Sequence, residues 1–198
     1  TAIPVDGGFA VHLDARPVRT PLKAPLILPT LALAEAVAAE WQAQDGKVKP
    51  DTMPVTRTAN SAIDKVAPQH AAVADMLAAY GESDLLCYRA EGPAELVARQ
   101  AEAWDPILVW AYETFGADLV VTTGVIHVAQ PSESLVSLHR KLGEMSAFQL
   151  SAFHDLVGKI PSKHQKVVFV WKDSNGVMME QAVFLALHLP LNVLLIQS

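Results

Sequence analysis

Arg89, Gln100, Trp104, Asp105 and Trp110 concentrate large aromatic and hydrogen-bonding side chains in one stretch of the chain. Tryptophan and arginine are the residue types most enriched at the energetic centres of protein–protein interfaces. Here they surround a predicted junction between two helices. The competing reading makes Trp104 and Trp110 core, because tryptophans near such a junction are more often buried in their own fold than offered to a partner. Glu102 and Glu113 share the stretch and add an acidic rim. The candidate partner-binding set is therefore Arg89, Gln100, Glu102, Trp104, Asp105 and Glu113.

Catalytic chemistry finds little support. The seven histidines, His12, His70, His127, His139, His154, His164 and His188, include no i, i+4 pair and no Cys/His cluster of ligand spacing. Cys87 sits among Leu85, Leu86 and Tyr88, with Arg89 the one basic neighbour, so an inert buried thiol is expected. No glycine-rich phosphate loop, dinucleotide fingerprint or nucleophile elbow is present. Glu82/Asp84 and Glu102/Asp105 could exchange protons, but helix ends and N-caps account for them more simply. The expectation is a protein with no catalytic, cofactor-binding or metal site.

Charge narrows the partner. The chain of 198 residues carries a net −6, which disfavours nucleic acid, whose phosphates reward a basic surface. Residues 61–157 hold thirteen acidic against five basic side chains, a net −8, whereas 1–60 balance and 158–198 carry +2. The acidic middle favours a basic or neutral partner. No run reaches the roughly 18 apolar residues that span a bilayer, so no membrane insertion is expected. One cysteine permits no intrachain disulfide and fits a reducing compartment.

These residues need elements to hold them. Alternating Phe9, Val11 and Leu13 after Gly7-Gly8 read as a half-buried strand. Pro17, Pro21, Pro25 and Pro29 divide the next stretch into short extended pieces. Thr30 is the expected N-cap of a helix over 31–44, with Leu33, Val37 and Trp41 on its buried stripe. Residues 48–58 read as extended, held by Pro50 and Pro54. Helices are then expected over 59–66, 68–80, 93–104 and 106–115, the last opened by Asp105-Pro106. A hairpin of 119–122 and 125–128 should turn at Thr123-Gly124. Pro131-Ser132 opens a further helix, and Ser146 with Gln149 forms a capping box for another. Beyond 158 a strand over 166–172, a turn at Asn175-Gly176 and a short apolar helix over 178–189 are expected. The sum is α+β: a small β-rich N-terminal domain with one helix, residues 1–58, then a mainly helical domain, residues 59–198, whose tail 158–198 is atypical.

Several of these segments, in this order, resemble the assembly chaperones of the ATP synthase alpha subunit. They are Val-His-Leu-Asp-Ala-Arg-Pro-Val-Arg-Thr-Pro at 11–21, Leu-Pro-Thr at 28–30, Glu-Trp-Gln-Ala-Gln at 40–44, and Met-Pro-Val-Thr-Arg at 53–57. Asp-Leu-Leu-Cys-Tyr-Arg-Ala at 84–90, the stretch 100–110 with Trp-Asp-Pro-Ile-Leu, Gly-Val-Ile at 124–126 and Gln-Pro at 130–131 complete the set. The resemblance covers residues 8–157 and implies a bacterial member of that family. It also implies a β-rich N-terminal and a helical C-terminal domain. The function implied is binding of the free alpha subunit, so that it does not aggregate before the beta subunit replaces the chaperone. No cofactor or reaction is implied. A monomer in the bacterial cytoplasm, or in the mitochondrial matrix of a eukaryote, is the corresponding setting. The family's acidic terminal segment, with its functional glutamate, has no match in 159–198, and none is carried over.

Two other readings stand beside it. One is a small-molecule enzyme with a dispersed site between two domains, and the other a structural adaptor with a stable partner. A deep pocket with converging buried polar groups would favour the enzyme. An exposed apolar patch rimmed by charge would favour binding.

Overall fold

A computed structural model describes residues 1–159 and three later strands, Val168–Lys172, Met178–Ala182 and Leu194–Leu195. The chain gathers into two compact units. One contains residues 1–70 and 146–155, and the other contains 71–145 and 156–196. The architecture is α+β, with a small strand region carrying a helix and a mainly helical remainder.

The first unit is organised around strand β2 (Gly8–Leu13). It pairs antiparallel with β1 (Ala2–Val5) on one side and with β3 (Arg16–Pro17) and β4 (Ile27–Leu28) on the other. Asp14 and Ala15, both at positive φ, make the tight β2–β3 turn, a geometry that suits the right-handed twist of paired strands. Gly8 is required by space as well as by its φ of 147°. A Cβ there would lie 2.3 Å from the Leu28 carbonyl oxygen across the β2–β4 pair.

Helix α1 (Leu31–Gln42) covers this sheet. Thr30 caps it as expected, its Oγ1 accepting from the Leu33 N–H at 3.2 Å. Val11, Leu26, Leu28, Ala34 and Val37 are almost fully buried in one cluster, with Phe9, Leu33, Trp41 and Phe148 packed against it. Trp41 is half-buried, and its indole N–H finds no hydrogen-bond partner.

Residues 48–58 are not extended. A 3₁₀ turn, Pro50–Thr52, leads into helix α2 (Pro54–Ser61), which runs on through a π turn to Val66. Pro54 occupies the first helical position, where its missing N–H costs nothing. The Glu40 carboxylate, reaching across from α1, meets the exposed donors of the first turn. It accepts from the Val55 N–H, the Thr56 N–H and the Thr56 hydroxyl, each at 2.7 Å. A negative charge at a helix N-terminus is also favoured by the aligned peptide dipoles. Asp64 plays a similar part farther on, accepting from the Thr20 hydroxyl at 2.7 Å and the Leu22 N–H at 3.1 Å.

Helix α3 (His70–Ala78) is flanked by 3₁₀ turns on both sides. A 3₁₀ turn at Leu85–Cys87 then delivers β5 (Tyr88–Arg89). Helix α4 (Ala94–Phe115) is a single element of 22 residues, not two. Pro106 lies within it on an exposed face. Its ring denies a hydrogen bond to the Glu102 carbonyl, but that face is open to water, which can supply a donor. Gly116, at φ 69°, closes the helix in the left-handed conformation.

The expected 119–128 hairpin is absent. Instead β6 (Thr122–Thr123) pairs in parallel with β5, and 125–128 form no strand. Helix α5 (Ser132–Glu144) follows, then α6 (Ala147–Lys159). The capping box at the start of α6 forms as read. The Ser146 N–H donates to Gln149 Oε1 at 2.8 Å, and the Gln149 N–H to Ser146 Oγ at 3.2 Å. The start of α6 belongs to the first unit, where the Thr58 hydroxyl donates to the Asp155 carboxylate at 2.6 Å.

Farther on, β7 (Val168–Lys172) pairs antiparallel with β8 (Met178–Ala182) and parallel with β9 (Leu194–Leu195). Residues 178–182 are thus strand rather than helix. The turn expected at Asn175-Gly176 and the rest of the 178–189 segment lie outside the described residues.

The Glu40 clamp gives a direct test. Replacing Glu40 with alanine removes three charge-assisted hydrogen bonds from a half-buried site and should lower unfolding free energy by about 2–3 kcal/mol. Denaturant titration of the two proteins side by side measures it. A difference below about 0.5 kcal/mol, the range of neutral surface changes, would mean that water caps α2 equally well.

Candidate functional site

Four of the six residues singled out in the sequence meet at the junction of β5 and α4. Asp84 starts the assembly by capping the turn that precedes β5, its Oδ1 accepting from the Leu86 N–H at 2.8 Å. That turn fixes where Arg89 leaves the backbone. The Arg89 side chain is only 10% exposed. Its Nε donates to the Leu86 carbonyl at 2.8 Å, and its guanidinium carbon stands 5.3 Å from the centre of the Trp104 ring. Nη2 lies 2.8 Å from Asp105 Oδ1. That contact is an ion pair by distance, lacking the alignment of a hydrogen bond.

Gln100 sits one helical turn before Trp104 and closes the other end of the strand, its Oε1 accepting from the Ala90 N–H at 2.8 Å. Trp104 is buried and packs with Leu86, Ile107 and Leu108. It is core, as the more conservative reading of the sequence held. Trp110 is half-buried and meets Phe115 edge to face, with ring centres 5.0 Å apart.

Glu102 and Glu113 are not part of this cluster. At 100° per residue they fall within about 20° of each other on α4, on the face opposite Trp104. Both are exposed. Glu95 and Val109 continue the same outward stripe, and Val109 keeps 54% of its surface in water. The helix therefore has an inward face of Gln100, Trp104, Ile107, Leu108 and Ala111 and an outward face on which Glu95, Glu102 and Glu113 are interspersed with exposed Ala98, Arg99, Pro106 and Val109. Asp105 stands at the edge between them, its side chain 58% exposed while it pairs with Arg89.

Cys87 is fully buried beside Ala117, Leu119 and Leu138. Burial, reinforced by the neighbouring Asp84 charge, pushes its thiol up to about 11. At neutral pH it holds its proton and is no nucleophile. Among the described residues no group of three or more His, Cys, Asp or Glu side chains could hold a metal ion. No described helix is long and apolar enough to cross a membrane.

Sequence reasoning took Asp84 for a solvated helix end or N-cap. It is an N-cap, but a buried one, 3% exposed, and its Oδ2 has no hydrogen-bond partner. Burial raises its pKa from 3.8 to about 6, against the lowering effect of the Leu86 N–H. Little in the local sequence distinguishes a buried cap from an exposed one. Leu85-Leu86-Cys87 immediately after it is the one available signal.

The shift carries a stability consequence. Between pH 3.8 and about 6 the folded chain holds a proton that the unfolded chain releases. The contribution of Asp84 is thus greatest below that window and is lost as pH rises through it, by up to about 3 kcal/mol. Asparagine keeps the acceptor for the Leu86 N–H and does not titrate. Between pH 4 and pH 7 the stability of Asp84→Asn relative to wild type should move in the variant's favour by about 2–3 kcal/mol. Parallel profiles of unfolding free energy against pH would show that the carboxylate is solvated.

The family profile of the ATP12 chaperone protein matches residues 1–112. Among solved structures, a mutant of Paracoccus denitrificans Atp12p is 52% identical, with a TM-score of 0.76, covering 80% of this chain and 68% of that one. A second structure of Paracoccus denitrificans Atp12, also 52% identical, gives a TM-score of 0.75 over 79% of this chain and 67% of its own. The Atu1473 protein of Agrobacterium tumefaciens is 42% identical, with a TM-score of 0.73, over 80% of this chain and 60% of that protein. Profile, identity and fold agree, and this chain belongs to the ATP12 chaperone family.

Proposed function

We propose that this chain binds the free alpha subunit of the ATP synthase catalytic head and keeps it from aggregating until the beta subunit takes its place. Membership of the ATP12 chaperone family is the observation that carries the reading. The charge of the second unit supports it, since a surface this acidic would steer toward a basic patch on a client. In this reading the chain catalyses no reaction and uses no cofactor. It acts as a monomer until it meets its client, in the bacterial cytoplasm or the mitochondrial matrix.

The proposed contact is the outward face of α4. Glu102 and Glu113 would meet the client directly, and Asp105 would do so at the edge of the face. Arg89, Gln100 and Trp104 are too enclosed to contribute much surface. Their part is to hold α4 against β5, so that the acidic stripe is presented on a rigid backbone.

Lysine at both Glu102 and Glu113 reverses the charge of that stripe with little effect on folding, because both side chains are exposed. Rim charges act mainly on association rate and its salt dependence. Capture of purified alpha subunit by the double variant should slow on the order of tenfold at low salt, and the difference should shrink as salt screens it. Circular dichroism confirms that the fold is retained. Equal rates at both salt concentrations would remove the α4 face from the interface. Failure of the wild-type chain to bind alpha subunit would overturn the proposed function itself.

A further inference from the structure

The loop that carries β6 presents an apolar tip. Val125 and Ile126 keep 93% and 82% of their surface in water, the highest values for large apolar side chains among the described residues. The segment 119–131 contains no Asp, Glu, Lys or Arg. It lies in a stretch, residues 71–145, that holds eleven acidic against four basic side chains, a net −7. A neutral apolar tip thus belongs to a stretch of net negative charge, with the Glu91 carboxylate at its base.

The base of this loop is pinned. Gln130 is 8% exposed, and its amide makes both bonds available to an antiparallel strand neighbour. The Val120 N–H donates to Oε1 at 2.8 Å, and Nε2 donates to the Val120 carbonyl at 3.1 Å. The Ser134 hydroxyl donates to the Asp118 carbonyl at 2.7 Å. On the other limb Thr122 and Thr123 pair with Tyr88 and Arg89, and the Gly124 N–H donates to the Arg89 carbonyl at 2.8 Å. Gly124 turns at φ 87°, where a Cβ would be strained and would stand 3.3 Å from the Glu91 carboxylate. The next two residues, Val125 and Ile126, are left in solvent.

A pinned loop loses little conformational entropy when its tip is buried against a partner. We infer that Val125 and Ile126 are an apolar anchor that inserts into a nonpolar pocket on the client, and that the rim of that pocket is basic. This rests on the alpha subunit being the client and adds a second contact beside α4. Charge decides between a client and a second copy of this chain. Two copies docked tip to tip would bring two like-charged fields together, whereas a pocket bordered by lysine and arginine gains from the same field. The tip gives grip and the net negative charge of the stretch that carries it gives orientation.

The test uses purified alpha subunit as the probe and Val125→Ser/Ile126→Ser as the variant. Both side chains are exposed, so the melting temperature should stay within about 2 °C of wild type, as for surface changes generally. Binding should weaken roughly ten- to a hundredfold, chiefly through faster dissociation, while the salt dependence of association persists. Equal binding by variant and wild type would overturn the tip and leave the alpha-subunit reading intact. No binding by either protein would overturn that reading and the anchor with it. Sedimentation showing that wild type self-associates through the tip, and that the variant does not, would assign the anchor to a second copy instead.

Discussion

A guanidinium cannot lose its charge at any pH a protein meets, so burying one is costly unless its surroundings meet both its charge and its donors. Arg89 is buried with its charge met and its Nε bonded, although Nη2 makes no hydrogen bond, and the second unit gathers around it. The Leu86 carbonyl takes one N–H, the Trp104 ring offers its negative face, and the Asp105 carboxylate supplies a countercharge. Each partner comes from a different place: the preceding 3₁₀ turn, the inner face of α4 and its edge. Satisfying one side chain therefore fixes the position of a turn, a strand and a helix of 22 residues. The Arg89 backbone is equally engaged, pairing with Thr123 and accepting from Gly124. The arrangement that holds α4 also holds the loop beyond it.

The first unit uses carboxylates where the second uses an arginine. Glu40 reaches from one helix to the open donors at the start of another, and Asp64 reaches from a helix to the Thr20 hydroxyl and the Leu22 N–H of a turn. A carboxylate can accept several hydrogen bonds at once, and donors at a helix start or in a turn are fixed in direction, so geometry and charge agree. Such bonds join segments separated by many residues. They stabilise arrangements that a sheet this small, with two strands of only two residues, could not impose.

Local chemistry was legible in the sequence and long-range chemistry was not. Thr30 and the Ser146–Gln149 pair are caps decided within four residues, and both form as read. The gathering of Arg89, Gln100, Trp104 and Asp105 was also legible, because helical spacing puts Gln100 and Trp104 on one face. Pro54 and Pro106 misled for opposite reasons. Pro54 starts a helix because Glu40 caps it from another element, which no local pattern reveals. Pro106 fails to stop a helix because the carbonyl it orphans faces water. The parallel pairing of β5 with β6 joins residues more than thirty positions apart. Two short apolar, β-branched pieces on either side of Thr123-Gly124 read more naturally as a hairpin, since local pattern carries no information about a distant partner. The burial of Asp84 was hidden for the same reason.

Taken together, these differences explain how one helix can present a charged surface without losing its place. Negative charges spaced along α4 repel one another, and an isolated helix with an interior proline would be a poor scaffold for them. The inward face removes the difficulty. Gln100, Trp104 and Ala111 are held by β5 and the surrounding core over three turns of helix, on both sides of Pro106. The cost of the proline and of the repulsion falls on the solvent face, where water and salt reduce both, while the stabilising contacts lie on the other face, where neither can reach. The two faces are therefore nearly independent in energy. The outer one is free to be selected for a partner, because the inner one alone determines whether the helix forms.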